Sequence, residues 1–205
     1  MAEPRRPIAN RVGLAILGLL IERPMHPYDM VSTLHARGLD TVVKVRKASV
    51  YDTVRALERA GWIQATGTEQ SGGRPERTVY THTPQGHAGF VAWVDELIRV
   101  PEQEYPSVLT AVSYLGALGR QGAIDALTER VRALDRRIRE AVAAEEAAVG
   151  QGVPPLFVLE VDYSVARMRA ELDWARRTAD RIAAGTLAWP TAVPPSPSST
   201  TAGDH

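Results

Sequence analysis

Residues 49–63 read Ser49-Val50-Tyr51-Asp52-Thr53-Val54-Arg55-Ala56-Leu57-Glu58-Arg59-Ala60-Gly61-Trp62-Ile63. The segment starts, repeats and stops as a helix does. Ser49 and Asp52, three residues apart, have the pattern of a capping box, in which a hydroxyl and a carboxylate each accept from amides that the first helical turn leaves unpaired. Val50, Val54 and Leu57 follow at four-then-three spacing and share one face. Gly61 then suits the left-handed position at which helices end. Ser49, Tyr51, Asp52, Arg55 and Arg59 fall outside the apolar stripe, so this helix buries one face and offers another.

The flanking segments say what kind of domain offers it. Upstream, Val12 to Glu22 (VGLAILGLLIE) is apolar on nearly every side and is stopped by Pro24, the pattern of a buried helix. A short second helix is expected just after Pro27, with Tyr28, Val31 and Leu34 as its apolar stripe and Gly38 as its end. Downstream, Ile63 to Gln70 and Arg77 to Thr83 read as two strands joined by the glycine-rich stretch Ser71-Gly72-Gly73-Arg74-Pro75-Glu76. Three helices followed by a hairpin with a basic tip is the order of a winged helix-turn-helix domain. In that arrangement the third helix enters the major groove of DNA and the hairpin reaches toward the backbone.

Composition sets the outer limits. The chain has 205 residues, 44% of them hydrophobic, and no cysteine. Disulfides, thiol nucleophiles and cysteine-ligated zinc are thereby excluded, and a reducing, cytoplasmic location is expected. The N-terminus has no apolar run of the signal-peptide kind, and Val12 to Ile21 is too short to span a bilayer. A net charge of zero conceals an asymmetry. Residues 1–85 hold 12 Arg or Lys against 8 Asp or Glu, giving +4, and residues 86–205 hold 12 against 16, giving −4. The first part is therefore the better partner for a polyanion. Among the 24 basic residues only Lys44 and Lys47 are lysine. His26, His35, His82 and His87 repeat no metal-ligand spacing, so no metal or other cofactor is expected. No GxSxG elbow, P-loop or paired-carboxylate motif is found, so no enzymatic activity is expected.

After residue 86 the pattern becomes purely helical. A connecting helix is expected from Gly86 to about Val100, carrying Phe90, Trp93, Val94 and Leu97, then a short one with Val108, Leu109, Val112 and Leu115. Two heptad-spaced seams follow: Ile124, Leu127, Val131, Leu134, Ile138 and Ala141, then Val161, Val165, Met168, Leu172, Ala175, Ala179 and Ile182, with a turn near Gly150 to Pro155. Such narrow seams suggest dimerisation. The expected fold is thus mainly α: an arm (1–11), a winged helix-turn-helix domain with a two-stranded β-wing (12–86), an α-helical connector and dimerisation domain (87–187), and a Pro/Ser/Thr-rich tail (188–205) unable to order itself.

These residues resemble the PadR family of bacterial transcriptional regulators. SVYDTVRALERAGWI (Ser49 to Ile63) is similar to that family's recognition-helix segment. GRPERTVYTHTPQG (Gly73 to Gly86) resembles its wing, with the Arg-Pro, Tyr80, Thr83 and Gly86, and MHPYDM (Met25 to Met30) resembles its second-helix start. The likeness spans about residues 12–90. The segment from Tyr163 to Ile182 looks like the longer subfamily, which has a virulence-activator-type helical dimerisation domain. Pro27, where glycine is commoner, and Glu76, where a basic residue is often seen, depart from the pattern.

The resemblance implies DNA contacts from Tyr28 and from the hydroxyl of Tyr51; the alternative for Tyr51 is packing beside Val54 and Arg55. Ser49 would serve as cap and phosphate ligand. Lys44, Arg46 and Lys47 precede the helix where phosphates would lie, and Arg74 and Arg77 would extend from the wing. Arg55 reads guanine if it faces the groove, or else pairs with an acidic neighbour such as Asp52. Trp93 and Trp174 are candidates for an effector pocket, as aromatics are in some relatives, against the simpler role of filling an interface; Trp189 is a weaker candidate. The expected function is a homodimeric repressor on a near-palindromic double-stranded operator, released by a small-molecule effector. A winged-helix adaptor that binds protein without DNA remains open, because an excess of +4 permits either.

Overall fold

The computed structural model describes residues 11–38, 46–69 and 77–189. The expected N-terminal arm, the wing tip and the tail beyond Trp189 lie outside these residues. The chain divides into two compact units, residues 1–103 and 104–205.

The first unit begins with α1 (Arg11–Glu22), α2 (Pro27–Ala36) and α3 (Lys47–Arg59). Helix α1 buries Ile16, Leu17, Leu19 and Leu20, which pack with Met30 and Leu34 of α2 and Val50, Val54 and Leu57 of α3. This is the stripe expected of α3. Helices α2 and α3 end as expected, at Gly38 and Gly61, both left-handed with φ of 66° and 73°. Their starts differ from expectation. Helix α2 begins at Pro27 itself, and the His26 Nδ1 accepts from the Tyr28 amide at 3.1 Å. Helix α3 begins at Lys47 after Arg46, which gives no side-chain cap. Ser49 is therefore already the third helical residue and Asp52 lies a turn further in, so the capping box does not form. Extra helix ahead of Ser49 carries the basic pair Arg46 and Lys47 up to the helix start.

Strands β1 (Ile63–Glu69) and β2 (Arg77–His82) form an antiparallel ribbon whose register runs from Ile63 opposite His82 to Glu69 opposite Arg77, with a bulge between Ala65 and Gly67. Tyr80 of β2 also exchanges both backbone hydrogen bonds with Met25, each 3.0 Å, tying the α1–α2 turn to the wing.

Helix α4 (Pro84–Arg99) was expected to open the C-terminal domain, yet it belongs to the first unit. Trp93 buries itself in the first core, and the boundary falls after Gln103, not after Gly86. The join is tight. Thr83 is the N-cap of α4: its Oγ1 accepts from the Gly86 amide at 3.0 Å and donates to the Gly61 carbonyl at 2.7 Å. A Cβ on Gly86 would lie 1.9 Å from the Trp62 carbonyl oxygen, and one on Gly89 would lie 2.5 Å from the Trp62 ring.

In the second unit, α5 (Ser107–Ser113) and a 3-10 turn (Leu115–Leu118) lead into α6 (Gly119–Gly150), and another 3-10 turn (Pro155–Val158) into α7 (Leu159–Ala183). Helices α6 and α7 form an antiparallel hairpin. Ala123 and Leu127 pack with Ala175, Ala179 and Ile182, and Leu134 and Ile138 pack with Val165 and Leu172. The two heptad seams therefore close on each other within one chain. Each seam has a partner inside the chain, so the heptad spacing is accounted for without a second copy. Polar fasteners run alongside: Arg130 pairs with Glu171, and Arg120 donates to the carbonyls of Ile182 at 3.1 Å and Ala183 at 2.9 Å, satisfying the end of α7. Among the described residues no helix is long and apolar enough to cross a membrane.

The Gly86 and Gly89 contacts predict that Gly86→Ala or Gly89→Ala destabilises the first unit by about 1–3 kcal/mol, the usual cost of overpacking a filled site. Gly150→Ala, at the end of α6 where a Cβ meets nothing within 4 Å, serves as the control and is expected to show no such loss in denaturant titrations.

Candidate nucleic-acid interface

The start of α3 and the start of α2 together present one surface. Tyr28, in the first turn of α2, is 50% exposed, and the Lys47 Nζ sits 5.8 Å from the centre of its ring. The cation and the phenol therefore stand side by side, which joins two sequence candidates from separate helices. Arg46, immediately before α3, is exposed; Ser49 and Tyr51 are half-buried along its first turns. Arg55 is exposed one turn on. Arg77 opens β2 opposite Glu69, while Lys44 and Arg74 lie outside the described residues.

The outward face of α3 is more mixed in charge than the candidate set suggested. Asp52, Arg55, Glu58 and Arg59 line a shallow depression on it. Glu58 accepts from the Tyr80 hydroxyl at 3.4 Å, linking α3 to the wing, and the Arg59 Nε donates to the Arg55 carbonyl at 3.3 Å. Burial raises the Tyr80 phenol above its usual range, the Glu58 carboxylate adds to the rise, and Arg55 opposes it. Sequence reasoning missed Tyr80 and Glu58 as site residues. The alternation of β2 could have shown which face Tyr80 takes, but not that this face meets the far end of α3.

The effector candidates lie in different units. Trp93 is 2% exposed in the first core. Trp174 is half-buried against the Ala123–Ile182 cluster, beside Leu187 and Trp189. His82 and His87 approach with ring centres 5.6 Å apart, and among the described residues no group of three or more metal-ligating side chains gathers.

The winged helix and the α4 that packs onto Trp62 through its glycines lie largely within one stretch of sequence that has known relatives. Residues 16–91 match the transcriptional regulator PadR-like family. This unit is a PadR-like domain. A probable transcriptional regulator of Mycobacterium tuberculosis, Rv1176c, is 28% identical over 189 residues, covering 82% of this chain and 95% of the relative. The fold is also that of Bacillus subtilis PadR. Its structure in complex with operator DNA matches with a TM-score of 0.72 at 21% identity, covering 83% of this chain and 98% of that one. Its structure with p-coumaric acid gives 0.70 at 20% identity, covering 84% and 99%. The virulence activator AphA of Vibrio cholerae follows at 0.61 and 18% identity, covering 84% of this chain and 98% of that one. The likeness of fold thus extends beyond residues 16–91 into the helical unit.

The Tyr80–Glu58 contact predicts a measurable titration. A group whose folded pKa is raised contributes stability that is complete below its unfolded pKa, near 10 for tyrosine, and is lost as pH rises through the folded value. Ultraviolet difference titration of the protein against Tyr80→Phe is expected to isolate a phenol that ionises above the ordinary range, and Glu58→Gln is expected to bring it part of the way back.

Proposed function

We propose that this PadR-like regulator is a homodimeric repressor that binds a near-palindromic operator through α3 and the wing and releases it when a small molecule binds. The observation that carries the reading is the surface at the starts of α2 and α3. There Tyr28, Arg46 and Lys47 lie exposed ahead of a helix whose outer face is free of the first core. Helix starts with adjacent cations suit phosphate, and α3 side chains one turn on suit base edges. Tyr28, Arg46, Lys47, Ser49 and Tyr51 hold the backbone, and Arg55 reads a base. Lys44, Arg74 and Arg77 extend the phosphate contacts beyond the described residues and along the wing.

The Bacillus subtilis relative was solved with operator DNA and with p-coumaric acid, which supports a DNA target and a small aromatic effector here. Of the effector candidates, Trp174 is the more accessible, and Trp93 would respond from within the first core. A second copy would cover apolar surface that the helical unit leaves open: Leu109 and Tyr114 of the α5 region are 58% and 72% exposed, and α5 buries none of its residues. A two-fold dimer sets the operator half-sites one helical turn, or a multiple, apart.

A second reading, a winged-helix adaptor for protein, draws support from Asp52 and Glu58 on the outer face of α3, since carboxylates there oppose phosphate. Salt dependence separates the two readings. In mobility-shift titrations against the DNA upstream of the coding region, binding is expected to be specific and to weaken linearly in log Kd against log salt. Arg74→Ala is expected to reduce the slope by about 1, the change for one lost phosphate contact, and Tyr51→Ala to weaken binding. Failure to bind that DNA or unrelated fragments at low salt would end the DNA reading in favour of the adaptor.

A further inference from the structure

Four charged side chains, Asp52, Arg55, Glu58 and Arg59, line the depression on α3, but two of them are already engaged. Glu58 is held by the Tyr80 hydroxyl, and Arg59 is turned back onto the Arg55 carbonyl. The side chains of Asp52 and Arg55 hold no hydrogen bond or ion pair among the described residues, even though a three-residue spacing on a helix brings such a pair within reach of each other. Both are exposed.

We propose that Asp52 and Arg55 act together as a base reader selecting cytosine and guanine at neighbouring positions of each half-site, with Asp52 the specificity determinant. This rests on the DNA-binding reading above. A carboxylate facing a polyanion weakens binding unless a donor meets it. In the major groove only cytosine N4 and adenine N6 donate, while guanine and thymine present acceptors to it. Adenine sets its N7 acceptor beside N6, against the second carboxylate oxygen; cytosine has no such neighbour. Asp52 therefore favours cytosine and penalises the other three bases. Arg55, longer and cationic, makes two bonds to guanine O6 and N7. Their Cβ atoms, about 5–6 Å apart by helical spacing, match base pairs that are adjacent or one apart at about 3.4 Å per step. A short side chain reaches a base only if its helix lies deep in the groove. Ala48 and Ala56, one turn to either side of Asp52, leave room for that approach.

The test is selection of bound duplexes from a library with 20 randomised base pairs, using the full chain and its Asp52→Asn and Asp52→Ala variants, with circular dichroism to check that each is folded. The unaltered protein is expected to select a half-site with cytosine and guanine adjacent or one apart. Asp52→Asn, whose amide can satisfy both N6 and N7 of adenine, is expected to change that cytosine to adenine with discrimination on the order of tenfold. Asp52→Ala is expected to accept any base there while keeping the guanine. An unchanged consensus in both variants would overturn the assignment and leave DNA binding intact. So would tighter binding to every sequence by one common factor, which would make Asp52 a repulsive charge only. If the unaltered protein enriches no sequence at low salt, the DNA-binding reading falls, and this inference with it.

Discussion

The junction around Trp62 is the constraint on which the DNA-facing unit depends. Four elements meet within a few residues: the end of α3, the start of β1, the end of β2 and the start of α4. One hydroxyl, on Thr83, serves two of the joins by donating to Gly61 and accepting from Gly86, while the Thr83 amide donates to the Trp62 carbonyl at 2.9 Å. The Trp62 ring then lies against a helix that only glycine lets approach. Buried polar groups must be paired and buried volume must be filled, and both requirements are met at the same place. The wing is thereby fixed relative to α3, and the Met25–Tyr80 pairing fixes the α1–α2 turn relative to the wing.

The same rigidity gives the outer face of α3 its character. Tyr80 has its backbone held by Met25 and its hydroxyl on Glu58, so the wing strand restrains one acid of α3. A face carrying two acids and two arginines is a poor general phosphate binder. Its acids and arginines offset one another, whereas the start of α3, beside that of α2, carries Arg46 and Lys47 with no acid in its first turn.

The helical unit obeys a different economy. Its seams contain Ala123, Ala175 and Ala179, which let α6 and α7 lie close, and arginines that bridge the pair or finish the end of α7. Outside these seams the unit leaves apolar residues around α5 exposed, Leu109 and Tyr114 among them.

Residues 12–86 were largely legible from the sequence. The α3 stripe, the left-handed Gly38 and Gly61 and the two strands all follow from spacing and backbone preference, which act locally. Local signals misjudged two helix starts. The Ser49–Asp52 pattern was overridden by helix continuing back to Lys47, and His26 was an uncommon cap. The allegiance of α4, the closing of two seams within one chain and the Tyr80–Glu58 contact were decided by tertiary structure alone. Each depends on which residues distant in sequence become neighbours. A heptad is satisfied equally by a partner within its own chain or in another, so periodicity records that a face must be covered and leaves its occupant to the fold.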